Sequence, residues 1–236
     1  MSPPRILAIE TSTGAGGAAL WEDGAVAAAR ENDSSTTHSE RLLAAIDSLL
    51  REAGRALTDL DAIAVSIGPG SFMGLRIGLA VAKALAFSTG TLIVPVSTLE
   101  ALAWRFAQPG QLAAALLDAR RREVFGALFE GSARDGAPLR LTPDVAERPE
   151  MFARRIDRPC VFGGSGAERY ADSFREWLGA RFALAPAELS RTSASAVAAL
   201  GAKLFGQGKA ANPLTIEPRY VRKSDAEVAR ERKSTM

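Results

Sequence analysis

The sequence predicts an α/β protein with two similar lobes, each a mixed sheet flanked by helices. Two antiparallel strand pairs each open a block in which strands and helices then alternate. The 236 residues are 47% hydrophobic and 24% charged, an ordinary composition for a globular chain long enough for two lobes. The single cysteine, Cys160, excludes an intrachain disulfide and favours a reducing, cytoplasmic location.

The first block, assigned to a lobe over residues 1–103, opens with a buried apolar run and a hairpin marked by Asp23-Gly24. Apolar residues at helical spacing then predict two long helices separated by a strand. The predicted elements are strands at 6–9, 18–21, 25–29, 63–67 and 92–94, and helices at 37–54, 73–88 and 98–107.

The second block repeats this order and is assigned to a lobe over residues 104–211. Its predicted elements are strands at 113–117, 123–129 and 159–162, and helices at 167–178 and 194–205. Residues 131–149 are rich in glycine, proline and charge, which predicts irregular structure or a third strand. The tail at 212–236 is predicted either to be partly disordered or to dock back on the first lobe.

The glycine-rich run at 68–78 supports two interpretations. A Gly-Pro-Gly turn between a strand and a helix directs backbone N–H groups toward a site for a phosphate. The helix that follows places Gly74, Gly78 and Ala82 on one face at four-residue steps, which allows another helix to pack closely. The residues alone leave this choice open.

Two further segments are candidates for nucleotide binding. Glu10, Thr11 and Ser12 at the end of the first strand offer oxygen ligands for Mg²⁺ and phosphate, although the spacing alone favours a capped turn. Gly163-Gly164, between a strand and a helix, is a second candidate cradle. Such glycine-rich turns are common, so neither signal is specific.

Charge and histidine content exclude several classes of function. The net charge of +2 is too small to indicate nucleic-acid binding, and it is open whether the cluster Arg120–Arg122 or the tail touches RNA. His38 is the only histidine, so a histidine-rich metal site is excluded, and no catalytic residue is assigned. The apolar stretch at 75–87 is short and contains two basic residues, which argues against a membrane span.

Five runs of the sequence carry a family resemblance, and they lie, in order, at 6–13, 68–78, 118–120, 123–125 and 218–222. Taken together, they resemble the TsaB (YeaZ) family of bacterial tRNA threonylcarbamoyladenosine biosynthesis proteins. The resemblance covers most of the chain. Met73 stands where the family usually has threonine, which removes a hydroxyl, and Glu10 stands where it often has aspartate. The resemblance implies an actin/Hsp70/sugar-kinase type fold with ribonuclease H-like lobes.

The resemblance also implies a relation to TsaD, the catalytic subunit of the same pathway. TsaD-like proteins carry a His-x-Glu-Gly-His metal motif after their own Gly-Pro-Gly helix, and here Thr98 and Leu102 stand at the two histidine positions. Thr192 stands at the position of a later aspartate ligand. Since these side chains are poor metal ligands, the resemblance implies a non-catalytic subunit with no metal site. It does not firmly imply any cofactor: a site for ATP and Mg²⁺ in this chain stays open, and the partner is the favoured place for both.

The implied function is to bind and support a TsaD-like enzyme that forms threonylcarbamoyladenosine on ANN-decoding tRNAs. The surface expected to bind the TsaD-like partner is the helix pair at 37–54 and 73–88. A larger residue at Gly78 is expected to weaken this association in a chain that still folds. The surface residues are Leu42, Ile46, Leu49, Gly74, Arg76, Gly78 and Ala82. The resemblance also implies a TsaE-like ATPase as a further partner and contact with tRNA through the complex. In isolation the chain is expected to form a homodimer, and no membrane contact is expected.

Two alternatives to the scaffold function stay open. One is an ATP-dependent phosphotransferase or ATPase of the same fold, with Glu10 holding Mg²⁺ and Gly163-Gly164 near the nucleotide. The other is a metallopeptidase, an activity against which the single histidine argues.

Overall fold

A computed structural model describes residues 3–14, 16–32, 38–133 and 136–222 of the chain. The strands are β1 Ile6–Glu10, β2 Gly16–Glu22, β3 Ala25–Asn32, β4 Ala62–Gly68, β5 Leu92–Ser97, β6 Leu112–Asp118, β7 Val124–Glu130, β8 Leu139–Arg140, β9 Val145–Glu147, β10 Cys160–Gly163 and β11 Phe182–Leu184. The α-helices are α1 His38–Glu52, α2 Phe72–Thr89, α3 Thr98–Trp104, α4 Pro149–Ala153, α5 Ser165–Arg169, α6 Ala171–Leu178 and α7 Ala194–Gly206.

The strands form two mixed sheets, which confirms the predicted fold class. The first sheet has the order β3-β2-β1-β4-β5, in which β1 pairs antiparallel with β2 and parallel with β4. The second has the order β11-β10-β6-β7-β8, with β9 also paired to β7, and repeats the central antiparallel hairpin beside parallel strands. Parallel strands ordinarily require helical cover on both faces, and the helices supply it.

Helices α1 and α2 pack on one face of the first sheet, and α7 packs on the other. Val197 and Leu200 of α7 are buried with Ile6 of β1 in one apolar cluster. This placement corrects the predicted lobe boundary, because α7 lies within the 104–211 segment yet belongs to the first sheet. Helical periodicity located the helix, but only tertiary packing decides which sheet it covers.

Helix α3 lies between the two sheets and joins their cores. Its Leu99 and Leu102 are buried in one cluster with Ala113 of β6, whereas Ala101 is buried with α7 and Val94 of β5. The helix begins at Ser97, whose hydroxyl accepts a hydrogen bond from the backbone N–H of Glu100. The two lobes therefore share apolar contacts along this helix.

The chain returns to the first lobe after α7. Ala211 pairs with Ile93 in an antiparallel bridge, and Ile216 is buried in the core beneath α1 and α2. The backbone N–H of Arg219 donates to the carbonyl of Ile67 at 2.7 Å. The remainder of the predicted tail, 223–236, lies outside the described residues.

Helix α2 is the longest helix among the described residues, and it is strongly apolar. It is the one helix among the described residues whose length and composition suit a membrane span, and 39% of that segment is buried within the chain. Core helices of globular proteins have the same properties, and α2 packs as one, with Leu75 and Leu79 buried against the sheet. Ser71 caps its N-terminus, and Gly90, which has a left-handed backbone (φ 73°), caps its C-terminus.

Candidate functional site

A cleft of about 900 Å³ opens between the two lobes. The loop after β1, the start of α2, the β6–β7 turn, α5 and the segment at 219–222 line it. Its polar lining includes Ser12 and Ser71 from the first lobe and Asp118 and Arg169 from the second. Clefts between domains are the usual place for a ligand site.

The start of α2 is already occupied by the chain itself. The backbone N–H of Ser71 donates to the carbonyl of Ser12 at 2.6 Å, and the Ser71 hydroxyl accepts from the N–H of Gly74 at 3.2 Å. A Cβ at Gly70 would lie 2.3 Å from the carbonyl oxygen of Ser12, so glycine is needed there for the close approach of two backbones. The Ser12 carbonyl therefore takes up part of the space at which a phosphate was expected.

The structure separates the three residues proposed as nucleotide ligands at the end of β1. Thr11 is buried, and its hydroxyl donates to the carbonyl of Gly74 at 2.8 Å, so it fastens α2 to β1. Ser12 faces the cleft, but its hydroxyl and its backbone N–H both donate to Oε1 of Glu10, at 2.5 Å each. Only Ser12 of these three lines the cleft.

Glu10 lines a second, smaller cavity of about 510 Å³ near Glu31 and the start of α7. The side chain is 1% exposed, and its Oε2 has no hydrogen-bond partner among the described residues. Burial raises the pKa of Glu10 to about 7, and the hydrogen bonds from Ser12 offset this only in part. Glu10 therefore lines this smaller cavity and not the interlobe cleft, so the structure does not support it as a Mg²⁺ ligand beside a nucleotide in that cleft.

Gly163 and Gly164 serve packing inside the second lobe, which corrects the cradle prediction. A Cβ at Gly163 would lie 2.4 Å from the ring of Phe106, and one at Gly164 would lie 2.1 Å from the carbonyl oxygen of Leu116. The N–H of Gly164 donates to the Ser190 hydroxyl at 2.7 Å. Both glycines are buried, and neither lines the cleft described above.

The three positions at which the resemblance places metal ligands in TsaD-like proteins hold no ionisable group. Thr98 and Leu102 are fully buried, and Oγ1 of Thr98 has no hydrogen-bond partner among the described residues. The Thr192 hydroxyl lies 2.7 Å from that of Thr13 and forms a hydrogen bond between the lobes. Within the described ranges, no three His, Cys, Asp or Glu side chains are placed to hold a metal.

Most of the residues predicted to form a docking surface on α1 and α2 are in the interior. Leu42, Ile46 and Leu49 are buried against the first sheet, and Ala82 is buried with them. The physical reason is that an amphipathic helix first covers its own sheet, and these residues form the covering face. The prediction that they supply exposed apolar area is therefore wrong.

The glycines of α2 also face inward. A Cβ at Gly74 would lie 2.0 Å from the carbonyl oxygen of Thr11, and one at Gly78 would lie 2.1 Å from its Oγ1. The stripe of small residues thus lets α2 approach β1 of its own chain. A larger residue at Gly78 is therefore expected to disturb the packing of α2 on β1.

A different set of residues forms the exposed side of the helix pair, here called the outer face. Met73 and Phe87 on α2 are each 63% exposed, and Leu43 on α1 is 49% exposed. Ala80 and Ala84 lie between the two large side chains of α2 and are also exposed. The signal available in the sequence was that α2 carries apolar residues on every side, so that one face remains after the sheet is covered.

Arg76 is the predicted surface residue that the structure does leave exposed. Its guanidinium carbon lies 4.0 Å from the ring centroid of Phe72, and its Nε donates to the Tyr220 hydroxyl at 3.1 Å. The rings of Phe72 and Tyr220 are 5.0 Å apart. Arg76 therefore holds the C-terminal segment against the start of α2.

Comparisons with known proteins point to one family. The family model described as TsaD, tRNA N6-adenosine threonylcarbamoyltransferase, matches residues 32–230. The chain is 32% identical to the tRNA threonylcarbamoyladenosine biosynthesis protein TsaB of Escherichia coli over 94% of this chain and 96% of that protein. It is 33% identical to TsaB of Bacillus subtilis over the same shares of the two chains.

Two solved structures from Pseudomonas aeruginosa have the same fold. One, described as similar to peptidase YeaZ, superposes with a TM-score of 0.81 at 30% identity, covering 94% of this chain and all of that one. The other, YeaZ itself, gives a TM-score of 0.75 at 28% identity, covering 93% of this chain and all of that one. The likeness confirms the two-lobed architecture that the resemblance implied.

Proposed function

Because the chain belongs to the TsaB family, we propose that it acts in forming threonylcarbamoyladenosine on tRNA, as a non-catalytic subunit that binds and supports a TsaD-family enzyme. The observation that carries the proposal is similarity to two TsaB proteins across 94% of the chain. The substrates are ANN-decoding tRNAs, which this subunit meets through the assembled complex.

The non-catalytic assignment is supported by the positions that would hold the metal in a TsaD-like enzyme. Thr98, Leu102 and Thr192 offer no carboxylate or imidazole, and the first two are fully buried. The hydrogen bond from Ser71 to the Ser12 carbonyl and the position of Glu10 outside the cleft lining argue against an ATP-dependent phosphotransferase. ATP and Mg²⁺ are accordingly assigned to the partners, which include a TsaE-like ATPase.

The outer face of α1 and α2 is the surface that we assign to the TsaD-family partner. Met73 and Phe87 flank two exposed alanines, an arrangement that admits a partner helix between two large side chains. Burial of such apolar area contributes roughly 25 cal/mol per Å², less the cost of association. In isolation, a second copy of the chain is expected to cover the same face.

The cellular test is depletion of the protein from its host, followed by measurement of threonylcarbamoyladenosine in total tRNA by mass spectrometry. The modification is expected to fall and to return when the wild-type gene is restored. Unchanged modification would refute the proposed pathway. Turnover of ATP by the purified chain alone, abolished by Glu10→Gln, would favour the phosphotransferase instead.

The docking surface is tested with Phe87→Glu, and Leu139→Glu is the matched control. Both side chains are 63% exposed, and Leu139 lies on β8 in the other lobe. A charge buried within an interface should weaken binding to the TsaD-family partner at least tenfold by calorimetry, whereas the control should bind as wild type does. Equal affinity of the two variants would exclude the outer face as the binding surface.

A further inference from the structure

The turn between β6 and β7 holds the most unusual backbone in the described chain. Arg120, Arg121 and Arg122 are consecutive, and each has a left-handed backbone, with φ of 60°, 51° and 62°. An L-residue with a side chain pays roughly 1–2 kcal/mol for this conformation, which glycine or asparagine adopts more easily. Strain of this kind persists only where the surroundings enforce it, and it is often associated with function.

Hydrogen bonds at both ends enforce the turn. The N–H of Ala119 donates to the carbonyl of Glu123 at 3.0 Å, and the N–H of Glu123 donates to the carbonyl of Arg120 at 2.9 Å. The N–H of Arg120 donates to Oδ1 of Asp118 at 2.9 Å. The guanidinium of Arg222 donates to the Glu123 carboxylate at 2.6 Å and to the Ala119 carbonyl at 2.9 Å. The turn is therefore a rigid platform.

The charges at this platform do not cancel. The three arginines of the turn are exposed, and the side chain of Arg120 is 81% exposed. Asp118 is shared between Arg120 and Arg169, while Glu123 pairs with Arg222. Among the described residues that form the turn or line the cleft beside it, seven are arginines and three are acidic, so positive charge is in excess there. It stands beside the interlobe cleft, which Arg120 helps to line.

We propose that the Arg120–Arg122 turn binds the phosphate backbone of an RNA molecule, an inference that rests on the proposed function in tRNA modification. Three adjacent cations on an exposed turn, outside any enclosed pocket, suit a chain of phosphates better than one small anion. The rigid backbone reduces the entropy lost on binding. The contact is independent of base sequence and orients the tRNA on the complex.

The test compares tRNA binding by the complex of the full chain with its TsaD-family partner. The probe is an unmodified ANN-decoding tRNA transcript, titrated at several salt concentrations. The variant replaces all three arginines with asparagine, which tolerates the left-handed backbone and so preserves the fold. Its affinity should fall, and the slope of log K against log salt should decrease in magnitude by about 2–3, which corresponds to loss of three phosphate contacts.

The matched control removes three positive charges elsewhere, by the changes Arg158→Gln, Arg175→Gln and Lys209→Gln. Arg158 precedes β10 at the end of the second sheet opposite the turn, since Cys160 pairs with Leu112 at the start of β6. Arg175 is on α6, and Lys209 follows α7. The control should keep the wild-type salt slope. Both variants should bind the TsaD-family partner as wild type does.

The outcomes separate this inference from the proposed function. Wild-type affinity and slope in the asparagine variant would overturn the turn as an RNA site, even where the complex still modifies tRNA. An equal loss in both variants would also overturn it, because net charge would then explain the binding. If the wild-type complex forms no threonylcarbamoyladenosine, the proposed function fails, while the comparison of slopes still decides whether the turn binds RNA.

Discussion

The closeness of α2 to β1 predicts that one added methyl group will destabilise the fold. In Gly78→Ala, the new Cβ would lie 2.1 Å from Oγ1 of Thr11, whose hydroxyl is buried and bonded to Gly74. Either the helix moves away by about 1 Å or Thr11 gives up its hydrogen bond. Overpacking costs about 1–3 kcal/mol and a buried hydrogen bond about 1 kcal/mol, while the better helix propensity of alanine returns about 1 kcal/mol.

The expected net loss is about 1–3 kcal/mol in the free energy of unfolding, or about 3–8 °C in Tm, measured by urea and thermal unfolding. Gly206→Ala is the control, because Gly206 ends α7 with open space around its Cβ position, so this variant should be neutral or slightly stabilised. Thr11→Ala added to Gly78→Ala removes the clashing atom and should recover part of the loss. If Gly78→Ala were as stable as Gly206→Ala, the close packing of α2 on β1 would be refuted.

Two further predictions concern buried ionisable groups. The pKa of Glu10 is about 7 in the folded chain and about 4.5 in the unfolded chain. Between these two pH values the folded state holds a proton that unfolding releases. The free energy of unfolding therefore falls as pH rises through this range. The stability difference between wild type and Glu10→Gln should change by about 2 kcal/mol from pH 5 to 7.5, and a constant difference would exclude a protonated carboxyl. Burial raises the pKa of the Cys160 thiol to about 12. Iodoacetamide at pH 8 should therefore modify this thiol only when the chain is unfolded in denaturant. Rapid reaction of the native chain would contradict the burial of Cys160.

The order of the elements was largely predictable because each carries a local signal. The long apolar helix predicted at 73–88 is observed as Phe72–Thr89, with a serine and a glycine at its ends. The predicted elements were wrong where the sequence pattern is short or where the structure depends on contacts between distant residues. The three-residue strand β11 has too few residues for a period, and the helix predicted at 167–178 is interrupted at Tyr170. The return of α7 to the first sheet depends on contacts between residues far apart in the chain.

The candidate site was harder to predict because one pattern has two physical causes. Small residues at four-residue steps on α2 permit close approach, but the sequence does not say whether the neighbour is a partner helix or the chain's own strand. The deciding residue, Thr11, lies 63 residues before Gly74, to which its hydroxyl is bonded. The left-handed backbone of Arg120–Arg122 was equally invisible, since arginine has no preference for it and the fixing contact comes from Arg222, 99 residues after Glu123.

The two proposed surfaces can be examined independently because they lie in different lobes. Phe87 is near the end of α2, whereas the arginine turn belongs to the second sheet. The segment that contacts both lobes is unsuitable for such tests: Tyr220 packs on Phe72 at the start of α2, and Arg222 clamps the turn. A variant at Tyr220 would disturb the start of α2, and a variant at Arg222 would disturb the turn. The outer-face variant should therefore lose the partner, whereas the turn variant should lose RNA affinity and still bind the partner. Loss of RNA affinity with unchanged partner binding in the turn variant would establish two separate contacts.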